Sequence, residues 1–313
     1  MSKLAVYHTE PAPFIVCNQE QTAALLGFEA MLEAIASTVL ECEKGDINSP
    51  ERMVVPLGDG GVLLSMPATA KDIAIHKLVN VQPGNKKNQL PTIHGTVTVC
   101  DAQTGQIICL LDGPEVTGRR TAAVSMLGIR TFLPTEPSRI LLIGTGVQAR
   151  YHLQAINALF PAADVLVRGS SLSAAQQFCQ QNADRHSRLT ACGETLPTDL
   201  DVVLTLTTST KAVYDLPAIQ ERLIIGVGAF KPEMCEIGKN TLDGSALYVD
   251  DPDGARHEAG DFIQAGVDWS AVNSLAHALR STAALSRPVV FKTVGTAAWD
   301  LAAARVALQS LTR

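Results

Sequence analysis

The sequence predicts an α/β protein in which a doubly wound, mostly parallel sheet is set into a smaller α+β region. Three observations predict it. An apolar run, Arg139–Ile143, stops at Gly144-Thr145-Gly146-Val147-Gln148-Ala149 and is followed by an amphipathic stretch to about Leu159, which is strand, tight turn and helix. From Pro137 onward, strand patterns near 139–143, 164–168, 188–192, 201–206, 222–227 and 245–250 alternate with helical stretches, the rhythm of a parallel sheet covered on both faces. Before residue 115 the rhythm is different, with apolar residues alternating along runs that are separated by short glycine turns, the signature of hairpins.

The chain has 313 residues, enough to bury a substantial core and, by length, to form two domains. A composition of 46% hydrophobic and 18% charged residues is that of an ordinary soluble enzyme. The net charge of −6 excludes bulk nucleic-acid binding as a function class. No apolar run reaches the length of a membrane span, and the first residues lack a basic-then-apolar leader, so no membrane partner and a cytoplasmic location are expected. Seven scattered cysteines without a CxxC pair read as free thiols, and no Cys/His/carboxylate cluster has metal-ligand spacing, so no metal is expected.

Taken in order, residues 1–17 are irregular, with Pro11 and Pro13. Asn18 and Gln21 form a capping box for one helix that runs to about Cys42 and ends at Gly45. A strand at Arg52–Leu57, a turn at Asp59-Gly60-Gly61 and a strand at Val62–Pro67 form a hairpin. In the next strand Ile73, Ile75, Lys77, Val79 and Val81 share one face. A lysine among them is costly unless an anion pairs with it or its stem carries the ammonium to the sheet edge; periodicity alone does not choose. Residues 83–89 read as a polar loop, and Thr92–Cys100 with Gln106–Leu111 as paired strands around Thr104-Gly105. His94 alternates with Thr92 and Thr96 on one face, where a lone histidine is more often packed than catalytic.

Thr117 is the expected N-cap of a helix to Phe132, which puts Arg119 and Arg120 in its first turn. Two cations there oppose the helix dipole at a cost of about 0.3–1 kcal/mol each. With an anion bound, dipole, free N–H groups and guanidinium all become attractive, so an anion site is expected at this point. The chain ends in a helical region near 254–285, the segment Phe291–Thr296, and a last helix, Ala297–Leu311, expected to return to the first region.

The turn at 144–149 fits a dinucleotide. Gly144 permits the tight turn, Gly146 lets a pyrophosphate approach the backbone, and Ala149 lets the helix pack closely, while the helix N-terminus offers unpaired N–H groups. The second strand decides the cofactor. An NAD site normally ends it with a carboxylate for the ribose 2′-hydroxyl, whereas here Arg168 is followed by Ser170 and Ser171 with no acid. Arginine and hydroxyls suit a 2′-phosphate, so NADPH is expected, with NADH possible. The threonine-rich run 205–210 falls at the carboxyl edge of the sheet, where ligands sit.

These pieces together resemble the ornithine cyclodeaminase/mu-crystallin family, over nearly the whole chain. The resemblance rests on Arg52 before a strand pair, Lys77 in its alternating strand, and Asp112-Gly113 followed by Thr117-Gly-Arg119-Arg120-Thr121-Ala-Ala. Gly144-Thr-Gly146-Val-Gln148-Ala149 and Val294-Gly295-Thr296 complete it. It implies a Rossmann domain (119–289) inserted into a dimerisation and substrate domain (1–118 plus 290–313), a homodimer formed through the latter, and an active site in the cleft. It also implies substrate contacts from Arg52, Lys77, Arg120, Phe230 and Thr296, with Lys77 as the candidate proton donor. Cofactor contacts are implied for Thr92, Gly144, Thr145, Gly146, Val147, Gln148, Ala149, Arg168, Ser170, Thr207, Val227, Gly228 and Gly295.

One departure narrows the activity. Ornithine cyclodeaminases carry Gly-Gly-Asp or Gly-Ala-Asp after the fifth strand, and their aspartate acts on the substrate amine. This chain reads Gly226-Val227-Gly228-Ala229-Phe230. Phenylalanine moves no proton but packs well on a small ring, a pattern similar to the ketimine reductases of the family, which make L-proline and L-pipecolate from cyclic imino acids. The rival readings are an ornithine cyclodeaminase, an alanine dehydrogenase, and a non-catalytic NADPH-dependent binding protein of the mu-crystallin kind.

Overall fold

The computed structural model describes residues 15–281 and 288–312. Residues 1–14 of the stretch expected to be irregular, and 282–285 of the expected helical region, lie outside the described residues.

A short strand β1 (Ile15–Val16) leads to helix α1 (Gln19–Leu25), which starts at the expected Asn18–Gln21 capping box. The single helix expected here is two. Gly27 breaks it, and α2 (Phe28–Glu43) sets off at 71° to α1. Then come β2 (Met53–Pro56), β3 (Val62–Thr69), β4 (Ile73–Val81), β5 (Ile93–Asp101) and β6 (Ile107–Asp112). They form one sheet in the order β1-β6-β5-β4-β3-β2, antiparallel except where β1 joins β6. The expected loop at 83–89 winds instead into a 3₁₀ helix, Pro83–Asn88.

Helix α3 (Gly113–Phe132) begins five residues earlier than expected, with Asp112 as N-cap accepting from the Glu115 amide at 2.8 Å and Pro114 in the first turn. Thr117 is therefore inside the helix. Arg119 and Arg120 lie about two turns in, away from the dipole's positive end, and the anion site expected at a helix start does not form there.

The second half continues as β7 (Arg139–Ile143), α4 (Val147–Leu159), β8 (Asp164–Arg168), α5 (Leu172–Gln181), β9 (Leu189–Ala191), β10 (Val202–Thr205), β11 (Thr210–Tyr214) and β12 (Leu223–Gly226). It ends with β13 (Cys235–Ile237), α6 (Lys239–Asp243), β14 (Ala246–Val249), α7 (Pro252–Glu258), α8 (Gly260–Ala265), β15 (Asn273–Ser274), α9 (Leu275–Arg280), β16 (Val289–Lys292) and α10 (Ala297–Leu311). Eight of these strands make an all-parallel sheet in the order β15-β14-β16-β12-β10-β7-β8-β9. The order reverses at β7, the switch point where doubly wound sheets bind ligands. β11 and β13 pair separately as a short parallel ribbon.

The strand β16 was not expected. Its fully buried Val-Val-Phe-Lys sits between β12 and β14, so the domain limit expected at 289/290 falls inside the parallel sheet. The limit at 118/119 likewise falls inside α3. An apolar run this short is ambiguous in sequence, and its neighbours in the sheet are remote in the chain. The last helix does return to the first region, where its alanines pack against α2, β3 and β4. No single helix among the described residues is long and apolar enough to cross a membrane.

Candidate active site

The glycine turn between β7 and α4 is built as its residues require. Gly144 has φ +128°, and a Cβ there would meet the Leu206 carbonyl oxygen at 2.6 Å. Its amide donates to the Arg168 carbonyl at 2.8 Å, tying the turn to the end of β8. Gly146 is the N-cap of α4, and a Cβ on it would face open space. Ala149 is fully buried beneath the turn, whereas Val147 is exposed and Thr145 half-buried. The Gln148 Oε1 atom is buried without a hydrogen-bond partner. Arg168 has no carboxylate partner among the described residues, Ser170 is exposed, and Ser171 caps α5 by accepting from the Ala174 amide. A polar cradle with unsatisfied groups at a helix N-terminus, flanked by an unpaired arginine, fits a phosphorylated dinucleotide.

Further along the same sheet edge, a buried carboxylate that sequence reasoning missed holds two loops together. Glu236 on β13 is fully buried and accepts from the Thr207 amide (2.5 Å), the Thr205 hydroxyl (3.1 Å), and the Gly228 and Ala229 amides (2.6 and 3.0 Å). It thereby clamps the end of β10 to Val227–Ala229 after β12. Burial, partly offset by Lys292, raises the Glu236 carboxyl above its usual range. Asp261 on α8 accepts from the Glu236 and Ile237 amides and pairs with Lys292 at 3.0 Å. Phe230, next in the chain, is 38% exposed, and no ring contact joins it to the cations described below among the described residues. Thr92 is half-buried at the entry to β5, and His94 is exposed.

Two guanidiniums, those of Arg52 and Arg120, meet at the turn 294–296, and Lys77 is tied to Arg120 through Asp300 in the helix that follows. Lys77 is 2% exposed and pairs through Nζ with Asp300 Oδ2 at 2.5 Å, so the anion that an inward lysine requires is supplied from α10. The other oxygen of Asp300 accepts from Arg120 Nε at 3.2 Å. Arg119, by contrast, turns away to Glu115 at 2.7 Å and lies over the Phe28 ring. Arg52 donates from Nη2 to Glu258 at 2.7 Å and to the Gly295 carbonyl at 2.8 Å. Gly295 adopts φ +79°, and a Cβ there would lie 2.5 Å from Arg120 Nη1, so glycine suits both the backbone conformation and the close approach of Arg120. Asp250 holds the turn in shape by accepting from the Val294 and Gly295 amides and from the Trp299 indole. Thr296 caps α10 and shares a 2.7 Å hydrogen bond with Ser49.

The cluster tunes its own acids and bases. Burial, with Arg120 and Arg52 adding to it, lowers the Lys77 ammonium to about 8 against the opposing pull of Asp300. Burial raises the Glu258 carboxyl to about 7, although Arg52 works the other way. A cavity of about 320 Å³ opens beside the cluster, lined by Arg52, Met66, Glu258, Gly295 and Thr296 among others. Another cavity, about 440 Å³, lies at the opposite edge of the parallel sheet against Asp201, Leu223 and Val289, at the amino ends of the strands where such sheets do not bind ligands.

The structure therefore brings together Arg52, Lys77, Arg120 and Gly295, and separately Gly144–Ala149 with Arg168. It adds Asp300, Glu258 and Glu236, which sequence reasoning missed. Asp300 left a faint signal, a lone acid on the inner face of an alanine-rich helix; the two glutamates left none.

Residues 15–312 match the ornithine cyclodeaminase/mu-crystallin family. The chain is 53% identical over 297 residues to Delta(1)-pyrroline-2-carboxylate reductase 1 of Burkholderia multivorans, spanning 95% of this chain and 96% of that one. It is 52% identical over 304 residues to the Delta(1)-pyrroline-2-carboxylate/Delta(1)-piperideine-2-carboxylate reductase of Azospirillum brasilense, spanning 97% and 98%. The structure of Thermococcus litoralis Delta(1)-pyrroline-2-carboxylate reductase, in complex with NADH and L-proline, shares the fold at TM-score 0.84 and 22% identity, over 96% of this chain and 97% of that one. The chain belongs to the ornithine cyclodeaminase/mu-crystallin family.

Proposed function

From that membership and the geometry of the cleft, we propose that the protein is an imine oxidoreductase that reduces Δ1-pyrroline-2-carboxylate and Δ1-piperideine-2-carboxylate to L-proline and L-pipecolate, with NADPH as the preferred reductant. The observation that carries this reading is the meeting of Arg52 and Arg120 at Gly295, with Lys77 joined to Arg120 through Asp300, beside a cavity of about 320 Å³. Two relatives named for this chemistry are more than half identical to the chain from end to end, which supports the choice of substrate.

The chemistry a bound nicotinamide cofactor would supply is a hydride for the carbon that bears the carboxylate. The chain's own residues do the rest. Arg52 and Arg120 hold the carboxylate and fix the carbon against the cofactor side of the cleft. Lys77 carries a proton that its burial makes easier to release, and the imine nitrogen must hold a proton to become a hydride acceptor. Gly144–Ala149 would hold the pyrophosphate, and Thr207 with Val227 and Gly228, braced by Glu236, would line the nicotinamide. Arg168 would take the 2′-phosphate, and this is the ground for preferring NADPH. Phe230 offers a ring face and no proton chemistry, which disfavours the cyclodeaminase reaction.

The assembly we propose is a homodimer through the antiparallel sheet. β2 is its edge strand and leaves Met53, Val54 and Val55 63%, 54% and 41% exposed, a length of apolar edge that solvated proteins normally cover. The functional test is oxidation of NADPH followed at its nicotinamide absorbance with Δ1-piperideine-2-carboxylate, run against NADH and against pyruvate plus ammonia. Rapid oxidation with the cyclic imine is expected. Turnover with pyruvate and ammonia alone would make the protein an amino-acid dehydrogenase, and tight NADPH binding without any turnover would make it a binding protein.

A further inference from the structure

We propose that Asp300 is a positioning residue that keeps Lys77 charged and Arg120 aimed, so that the carboxylate clamp is assembled before substrate arrives. The kinetic arm of this proposal rests on the ketimine-reductase reading. The structural argument does not.

Asp300 is fully buried in the first turn of α10, and its two oxygens go to two cations on two other elements. Oδ2 meets Lys77 from β4 at 2.5 Å, and Oδ1 meets Arg120 from α3 at 3.2 Å. Among the described residues, Asp300 is the one carboxylate paired with Lys77. Its partners across the sheet are Met66 on β3 and Val97 on β5, both buried and apolar. The charged groups that act on it are Asp300, Arg120 and Arg52, two of them cations. Without Asp300, burial and both arginines would all drive the lysine neutral.

Stability alone does not account for this carboxylate. Replacing a buried ion network by apolar side chains of similar volume is often neutral or stabilising, and Ala297, Leu301, Ala303, Ala304 and Ala307 around it on this helix are buried and apolar. The geometry also leaves the arginine usable. Asp300 engages Arg120 through Nε, at the side of the guanidinium, while Nη1 lies against Gly295 at the turn that Arg52 also reaches. Whether Lys77 binds the substrate carboxylate or protonates the imine nitrogen, it must carry its proton, and Asp300 is the group that favours that form.

The test uses the full chain loaded with NADPH and the variants Asp300→Asn and Asp300→Glu. Cyclic-imine turnover is measured from neutral to alkaline pH, NADPH binding by its fluorescence, and the Lys77 titration by NMR with ¹³Cε-labelled lysine, assigned with Lys77→Met. For Asp300→Asn the alkaline limb of kcat and the Lys77 titration should both move to lower pH by about one unit or more, the size of effect expected from losing an opposite charge at contact. KM for the imine should rise and NADPH affinity should stay as in the wild type. Asp300→Glu should restore the position of the limb while kcat stays reduced, because the charge returns on a longer arm. A purely structural Asp300 would lower stability without moving limb or titration, and that result overturns the proposal. If Asp300→Asn does not fold, Asp300→Glu decides alone, and wild-type kcat and KM in that variant overturn it. If the wild type reduces no cyclic imine, the reductase reading fails separately, and the Lys77 titration still decides the role of Asp300.

Discussion

The two halves of the cleft reach readiness by opposite means. In the half built from β4, α3 and α10, every cation already has a counter-charge: Lys77 and Arg120 share Asp300, and Arg52 holds Glu258. In the half built on the glycine turn, among the described residues, the buried Gln148 side-chain oxygen has no donor and no carboxylate pairs with Arg168. The first half is fixed by the protein's own ions, and on the proposed reading the second is completed by a ligand, whose phosphates would meet Arg168 and the free N–H groups of α4. A small substrate offers few contacts with which to order a site, so its clamp is preassembled. A dinucleotide offers many, so its cradle can be left open.

The sharpest way to break this contrast is Arg120→Ala. It strips Asp300 of one partner and the clamp of one arm, so kcat/KM for the cyclic imine should fall by about a hundredfold or more, the scale of a misplaced reacting group. NADPH binding, measured by fluorescence, should barely change. Loss of NADPH binding instead would move Arg120 to the cofactor half and erase the distinction.

Arg168→Ala probes the open half. Losing a charge-assisted hydrogen bond of about 1.5–3 kcal/mol should weaken NADPH about tenfold to a hundredfold and leave NADH affinity almost untouched. An equal loss for both would assign Arg168 to the pyrophosphate or to the fold. Isothermal titration with the two cofactors separates these outcomes.

pH should act on the paired half. With the Lys77 ammonium lowered to about 8, its charged form is present below that value and lost above it, so kcat should decline as pH rises through about 8. The Glu258 carboxyl, raised to about 7, becomes neutral as pH falls below that value and loosens its hold on Arg52. KM for the imine should therefore fall toward acid pH while KM for NADPH does not follow. A flat kcat profile across this range would remove the Lys77 charge from the mechanism.

The smallest effect on turnover is expected from Val54→Lys, placed in the exposed edge strand just after Arg52. If the proposed homodimer forms through this edge, light scattering should show a dimer for the wild type and a monomer for the variant. A raised imine KM with unchanged NADPH affinity would extend the paired half to the subunit contact, and an unchanged KM would confine it to one chain.

Much of this protein is written locally. The glycine turn, the strand carrying Lys77, the capping box at Asn18 and the final helix depend on contacts within a few residues, and each appears where periodicity and turn chemistry put it. The start of α3 was missed because Thr117 and Asp112 are both good caps, and the pairing of Asp112 with Glu115 in the folded chain decides between them.

What only the tertiary structure decided is who neutralises whom. Lys77 and Asp300 are far apart in sequence, as are Arg52 and Glu258, and Glu236 on β13 reaches Thr207 in the loop after β10. Their meeting depends on β16 entering the parallel sheet and on α10 returning, on its small alanines, to lie against β4. Sequence patterns record which residues are costly to bury. The charge that offsets the cost comes through space, from whichever element packs nearest, and so the sequence alone determined the cations of this site while the fold chose their partners.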